Sequence, residues 1–390
     1  MGAWMFRSIE RIAFGVGTVR MLGELLAGLH VDSAVLVSDK NLSAHTEAAV
    51  HSLRSHGIRY RLFDGGRPEP TTEMVNTLCA SLAGEQFDAF IGLGGGSNID
   101  LAKAGAVVHT LGGVAEDYVG SQSISGPVLP IVAIPTTGGS GSEMSAASIL
   151  SVPDRYSKVA IVDNRIRPRL AVIDPELHLT CPYVVTRDSG IDALCHAIEA
   201  FTSADSVGPR GSSTYEPVYQ GRHALTDAVA EQSVRCIAAN LPASLADPED
   251  LEARTGMAVG ALLAGMAMSN TGVHLVHALA YPVGAMTGTS HGASVSALLP
   301  AVLDFITPYR RTEVERIVEI VRSTGRGEID SVRGFLASVG APGTLRELGF
   351  KPGDRERAAG VAFEIKRLLM CAPVSVSRED ITWILDRAQG

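Results

Sequence analysis

The residues best suited to chemistry sit in Gly190 to Ala200, GIDALCHAIEA. Asp192 and His196 stand four residues apart, so on a helix their side chains leave adjacent turns on the same side. Ile191, Ala193, Leu194, Cys195, Ala197, Ile198 and Ala200 surround them, and a helix that is apolar almost all round is usually buried. A buried carboxylate needs a partner, because an unpaired buried charge is costly. Two readings meet that need: an intrahelical Asp–His ion pair, or two ligands of a metal site completed elsewhere. Gly272 to Pro300, GVHLVHALAYPVGAMTGTSHGASVSALLP, supplies His274, His277 and His291. Each of these histidines alone is more often a satisfied core residue. Together with Asp192 and His196 they form a candidate site for a divalent cation. Mixed imidazole and carboxylate ligation suits Fe(II) or Zn(II), with an open position for substrate.

Two glycine-rich turns ask for a phosphate-bearing ligand. LGGGSNIDLAK (Leu93 to Lys103) follows an apolar strand and opens a helix. Gly94, Gly95 and Gly96 let backbone amides approach a ligand, Ser97 can cap the helix, and Asp100 stands where a capping-box partner would. The exposed amides and the helix dipole then favour an anion. IPTTGGSGSE (Ile134 to Glu143) repeats the arrangement with hydroxyls on Thr136, Thr137, Ser140 and Ser142. Asp39 ends the strand SAVLVSD, where an acid can hold an adenosine ribose and repel a 2′-phosphate. It points to NAD(H) and leaves NADP(H) open; a capping or turn aspartate reads equally well.

The elements that position these residues change character along the chain. Up to about Pro182, apolar runs such as SAVLVSD, YRLFDG, FDAFIGLGG, LPIVAIPTT and RLAVIDP alternate with helical stretches. Continuous apolar strands separated by helices predict a parallel sheet covered on both faces. Beyond that point the signals are helical and alanine-rich. The expectation is an α/β, Rossmann-like nucleotide-binding domain over residues 1–182, then an all-α metal-binding domain over residues 183–390. Ala204 to Gly221 reads as a polar loop over the helical part, and its edge arginines, Arg210 and Arg222, could receive an anionic substrate tail.

Composition excludes several functions. A chain of 390 residues with 46% hydrophobic and 19% charged residues can fill two cores. A net charge of −9 argues against nucleic acid and acidic membrane surfaces as partners. No apolar run reaches the ~18 residues of a membrane span. Five scattered cysteines fit reduced thiols in the cytoplasm better than a disulfide framework.

Four ordered motifs, GGGSNIDLAK, PTTGGSGSE, GIDALCHAIEA and HALAYPVGAMTGTSHG, resemble those of the iron-containing (group III) alcohol dehydrogenases along nearly the whole chain. The resemblance implies a metal-dependent NAD(P)-linked oxidoreductase that interconverts a small alcohol and its aldehyde or ketone. It implies Asp192, His196, His277 and His291 as metal ligands, Lys158 as a cofactor-side lysine and His274 as a non-ligand near the site. It also implies a homodimer or larger homo-oligomer. One departure concerns proton transfer: many members carry a histidine where this chain has Tyr281, so the relay passes to Tyr281, His274 or water. Tyr281-Pro282, the HLVH lead-in and Glu69-Pro70-Thr71 are similar to the hydroxyacid–oxoacid transhydrogenase branch, which uses tightly held nicotinamide. The substrate's tail can be anionic, a carboxylate or phosphonate; the alternatives are a hydroxyacid–oxoacid transhydrogenase with tightly bound nicotinamide and a dehydroquinate synthase-like lyase.

Overall fold

The computed structural model describes residues 4–152, 157–206, 217–325 and 329–390. Ser8–Cys181 forms one unit, and Pro182–Gly390 with the N-terminal residues through Arg7 forms the other.

In Ser8–Cys181 the strands are β1 (Arg11–Phe14), β2 (Ser33–Val37), β3 (Arg59–Phe63), β4 (Ala89–Gly94), β5 (Gly120–Ser121), β6 (Ile131–Pro135), β7 (Ala147–Val152), β8 (Ser157–Val162) and β9 (Leu170–Ile173). Six of them make a sheet in the order β1-β9-β6-β4-β2-β3, and every pairing in it is parallel. β2, β4, β6 and β9 are buried along their whole length. Ala34 and Leu36 pack into one core with Val50 and Leu53, while Val35 and Val37 pack into another with Leu78 and Leu101. Both faces are therefore covered, which is why these strands read as unbroken apolar runs. β3 lies outside β2, and the chain then returns to lay β4 on the other side of β2. The chain order thus reverses between β2 and β4, the place where open α/β sheets bind ligands.

The sequence reading did not anticipate the antiparallel hairpin of β7 and β8, which with β5 makes a second, three-stranded sheet. The helices of this unit are α1 (Leu22–Ala27), α2 (Ser43–Ser55), α3 (Thr72–Ser81) and α4 (Gly96–Leu111).

The second unit is helical: α5 (Tyr183–Thr202), α6 (Ala224–Ala246), α7 (Leu251–Thr271), α8 (Leu275–Thr287), α9 (His291–Ile306), α10 (Arg311–Thr324), α11 (Val332–Ser338), α12 (Arg355–Glu364), α13 (Lys366–Leu369) and α14 (Arg378–Ala388). One large apolar core runs through it, with Leu194, Ile198, Leu241, Leu279 and Leu298 among its buried members. No single helix among the described residues is long and apolar enough to cross a membrane.

The sequence places residues 1–182 in one domain, yet Trp4 to Arg7 belong with the helices. The Trp4 ring stacks on His223 at 4.0 Å. The Arg7 backbone exchanges hydrogen bonds with the Asn270 side chain, at 2.7 and 2.9 Å. Aromatic stacking and a doubly bonded amide hold this segment on the helical core.

Candidate active site

α5 carries three polar groups on one buried face. Asp192, His196 and Glu199 follow at spacings of four and three, so they line one side of the helix. α8 brings His277 to them, and the first residue of α9 brings His291. His291 is placed by a close approach of backbones: a Cβ on Gly292 would lie 2.1 Å from the Asp188 carbonyl oxygen of α5. Only glycine lets the start of α9 settle there. Ser290 caps α9 by accepting the Ala293 amide, and its hydroxyl donates to Asp188.

The result is a convergence on one atom. Asp192 Oδ1 lies 3.4 Å from His277 Nε2, 3.6 Å from His291 Nε2 and 3.7 Å from His196 Nε2. The His196 and His277 rings stack at 4.7 Å, and the His277 and His291 rings are 5.2 Å apart. The structure therefore brings together the four residues Asp192, His196, His277 and His291.

Glu199 determines what His277 can do there. Its carboxylate, fully buried, lies 2.6 Å from His277 Nδ1. An ionised carboxylate can only accept, so Nδ1 holds the proton and Nε2 turns a lone pair toward Asp192. The same carboxylate accepts the His274 and Val276 amides at 3.0 and 2.7 Å, capping α8 from another helix. Asp192 Oδ1 and His277 Nε2 are both buried without a hydrogen bond. Two acceptors facing each other in a dry site require a cation between them or an extra proton. Acidity moves accordingly. Burial alone would raise Asp192, but His196, His291 and His277 hold its carboxyl far below the usual range. Burial opposes a charge on His277, yet Glu199 and Asp192 raise its pKa well above that of free imidazole. This donor set, one carboxylate and three imidazoles with orphaned atoms pointing inward, fits a divalent cation. Cys195 is close to Glu199 and His277, and burial, then Glu199, pushes its thiol up to about 12.

His274 does not occupy the position expected of an outward proton relay. It is fully buried, with Nε2 3.1 Å from the Thr202 hydroxyl and Nδ1 3.2 Å from Glu199. It buttresses Glu199 from behind. Tyr281 is better placed, its ring 5.6 Å from that of His291. Arg222, suggested for a substrate tail, is taken up by Asp227 at 2.7 Å and by Glu313. Arg210 lies outside the described residues.

In the α/β unit the two glycine turns lie against each other. A Cβ on Gly96 would meet the Ser140 Cβ at 2.7 Å, and one on Gly95 would meet Thr137 at 3.6 Å. The Thr136 amide donates to the Gly94 carbonyl at 3.0 Å. Gly95, not Ser97, is the N-cap of α4, and no side chain caps that end. Its first amides are therefore free for a ligand, as an anion site needs. The Ser97 hydroxyl instead accepts the Glu69 amide at 3.3 Å. Asp39 stands at the end of β2, accepting from the Asn41 amide at 2.8 Å and the Asn98 side chain at 3.3 Å. It caps a turn at the switch point between β2 and β4.

Asp100 and Ser142 are structural rather than ligand-facing. Asp100 accepts from Ser142 Oγ at 2.5 Å and the Ile149 amide at 2.9 Å. Lys103, which sequence reasoning passed over, is fully buried and ties the second loop to α4. Its ammonium lies 2.7–3.0 Å from oxygens of Ser142, Ser145 and Ala147. Lys158 reaches Glu69 at 2.7 Å, beside the first loop.

The family description "Iron-containing alcohol dehydrogenase" matches residues 10–175, and its C-terminal counterpart matches residues 217–389. The chain belongs to the iron-containing alcohol dehydrogenases. Within that family it is 32% identical to the mitochondrial hydroxyacid-oxoacid transhydrogenase of Caenorhabditis elegans, over 97% of this chain and 88% of that protein. It is also 32% identical to an NAD-dependent methanol dehydrogenase of Bacillus methanolicus, over 90% of this chain and 91% of that protein. A solved 1,3-propanediol oxidoreductase superposes with a TM-score of 0.88 at 31% identity, covering 99% of this chain and all of that one. As an iron-type alcohol dehydrogenase, the protein is an oxidoreductase acting on alcohols and aldehydes. Glu199 was also legible in principle: it is the third polar position on the buried face of α5.

Proposed function

We propose that this chain binds divalent iron, or zinc, at Asp192, His196, His277 and His291, and uses NAD(H) to interconvert a small alcohol and its carbonyl partner. The observation that carries the reading is the convergence of three imidazole Nε2 atoms on Asp192 Oδ1 within 3.4–3.7 Å. When bound, the cation supplies Lewis acidity at the substrate oxygen and the nicotinamide supplies the hydride. The chain's own contribution is positional. Glu199 fixes the His277 tautomer, and Gly292 seats His291 opposite Asp192. Tyr281, beside His291, is the side chain placed to pass a proton outward. The uncapped start of α4 and the Thr137–Ser140 turn receive the pyrophosphate. Asp39 favours NAD(H) by meeting ribose hydroxyls and repelling a 2′-phosphate.

The wider reading includes a homodimer or larger homo-oligomer in the cytoplasm, with no nucleic-acid or membrane partner. Five unbridged thiols support a reducing compartment. The relatives named above support an oxidoreductase over a lyase of the dehydroquinate synthase kind. A second reading, transfer of hydride between a hydroxy acid and an oxo acid through held nicotinamide, is supported by the transhydrogenase relative that covers nearly the full chain.

One plate separates these readings. Protein loaded anaerobically with Fe(II) is given NADH or NADPH and a panel of short aldehydes and oxo acids, and absorbance of the reduced nicotinamide is followed. Oxidation of NADH by an aldehyde is expected. Silence there, with hydroxy and oxo acids interconverting when no nicotinamide is added, would favour the transhydrogenase. Silence in both would overturn the redox reading.

A further inference from the structure

The three imidazoles that converge on Asp192 Oδ1 are not held alike. His196 sits inside α5 and His277 is pinned by Glu199, and their side chains are only 7% and 3% exposed. His291 is 24% exposed and is the first residue of its helix, where an end frays unless it is capped. What holds that end comes from α5. The Ser290 hydroxyl donates to Asp188 Oδ2. With its proton committed there, it turns a lone pair toward the Ala293 amide, 3.2 Å away, as a cap must. Asp188 is itself buried. Its other oxygen accepts from Arg187 Nε at 2.8 Å, and Arg187 Nη1 donates to the Gly340 carbonyl at 2.9 Å. Two residues on, the Pro342 carbonyl accepts the Ser296 hydroxyl of α9 at 2.7 Å. The short segment after α11 thus anchors α5 and α9 together. A series of side chains, Arg187, Asp188 and Ser290, runs from it to the least enclosed of the four ligands.

We propose that Asp188 is a positioning residue of the cation site: through Ser290 it holds His291 opposite Asp192 and so sets how slowly a bound cation leaves. The inference rests on the cation reading above and adds the route by which the ion exchanges. Asp192, His196 and His277 stay with the packed core of the helical unit. His291 swings outward when the first turn of α9 frays, and the ion departs on that side. Without the Asp188 carboxylate the Ser290 hydroxyl is free to turn, the cap weakens, and His291 spends longer open.

The test mixes Zn(II)-loaded protein with an excess of chromophoric chelator and reads the release rate. Asp188→Ala is expected to speed release about tenfold, within the roughly 10–100-fold span that outer partners of metal ligands command. Ser290→Ala should do the same, and the double variant should be no faster than the quicker single one, because the two act in series. Asp188→Asn keeps an oxygen for Ser290 and should restore most of the wild-type rate. In a His291→Ala background, Asp188→Ala should change nothing further. A release rate within about threefold of wild type in Asp188→Ala, well short of that span, overturns the proposal, as does an equal acceleration when His291 is already gone.

Hydrogen exchange on the metal-stripped protein gives a second reading. The Ala293 and Ser294 amides donate to the Ser290 hydroxyl and carbonyl. In Asp188→Ala they should exchange about fivefold faster, the measure of a lost cap, while amides in the middle of α5 keep their wild-type rates. If wild type holds no Zn(II), the cation reading falls, and exchange alone decides the role of Asp188. Acceleration confined to the start of α9 then retains its hold on His291, and none overturns it. Thermal melting identifies a variant that has lost its fold; should Asp188→Ala be one, Ser290→Ala carries both measurements.

Discussion

Glu199 Oε2 lies 2.6 Å from His277 Nδ1, and the same carboxylate receives two backbone amides that begin the helix carrying His277. One buried acid therefore sets both the position of that helix and the ring nitrogen it offers. Glu199→Gln keeps the shape but can present its amide N–H to Nδ1, releasing Nε2 from its acceptor role. Outer partners of this kind are worth roughly 10–100-fold in metal affinity. Competition with a chromophoric chelator should register a drop of that size, and unchanged affinity would remove Glu199 from the site.

Stripping the protein with a chelator should lower its Tm, because a cation that binds only the folded state stabilises it by mass action. Added back at a hundred times its Kd, the cation restores about 2.7 kcal/mol. Asp192→Asn should show little of that rise, since all three imidazoles face the oxygen whose charge is lost. A full rise in Asp192→Asn would place the cation elsewhere.

Gly292→Val tests how His291 is seated. Its Cβ would lie 2.1 Å from a backbone oxygen of α5, an atom that cannot swing aside as a side chain end can. The start of α9 must shift, at a cost of about 1–3 kcal/mol, and His291 moves with it. Urea unfolding should report the destabilisation and calorimetry a weaker cation. A variant as stable and as tight as wild type would contradict the packing described.

The abutting glycine turns make a different forecast. Gly96→Ala would press its methyl on Ser140 at 2.7 Å and part the two loops. Nicotinamide affinity should weaken about tenfold, or roughly 1.4 kcal/mol, while the cation still binds. Fluorescence titration with NADH checks this, and equal affinity would detach the first loop from the cofactor.

Glu143 supplies a pH dependence. Burial raises its carboxyl from 4.5 to about 7, against a smaller downward pull from its own backbone hydrogen bond and from Lys103. The folded-state value is above the unfolded one, so the stability contributed by the neutral acid is fully present below 4.5 and is lost as pH rises through about 7. Glu143→Gln stays neutral throughout. Its unfolding free energy should match wild type near about pH 4 and exceed it near about pH 8, by about 3 kcal/mol. A difference independent of pH would show that the acid is ionised throughout.

The parallel sheet was readable because burial on both faces writes an uninterrupted apolar run, as in Val35 to Val37 and Phe90 to Leu93. The β7–β8 hairpin was not, since ASILSV and SKVAIV mix polar and apolar residues without a turn signal strong enough to pair them. Asp192 and His196 drew notice because polar residues on an apolar helix need a reason. Glu199 escaped at the end of the same segment, where an acid reads as a solvated terminus. Arg222 was misjudged for the opposite reason: one of its carboxylates, Glu313, comes from a helix 91 residues further along. Lys103 was passed over because a lysine on a helix after a glycine turn suggests phosphate or solvent. Three of its five close partners are backbone oxygens, which a one-letter code does not display.

The spacing on α5 has a consequence for how such a protein can change over generations. Asp188, Asp192, His196 and Glu199 occupy successive turns, so inserting or deleting one residue among them would swing every later member about 100° around the axis. That helix can tolerate substitution but not a change of length, and it behaves as a fixed ruler in the gene.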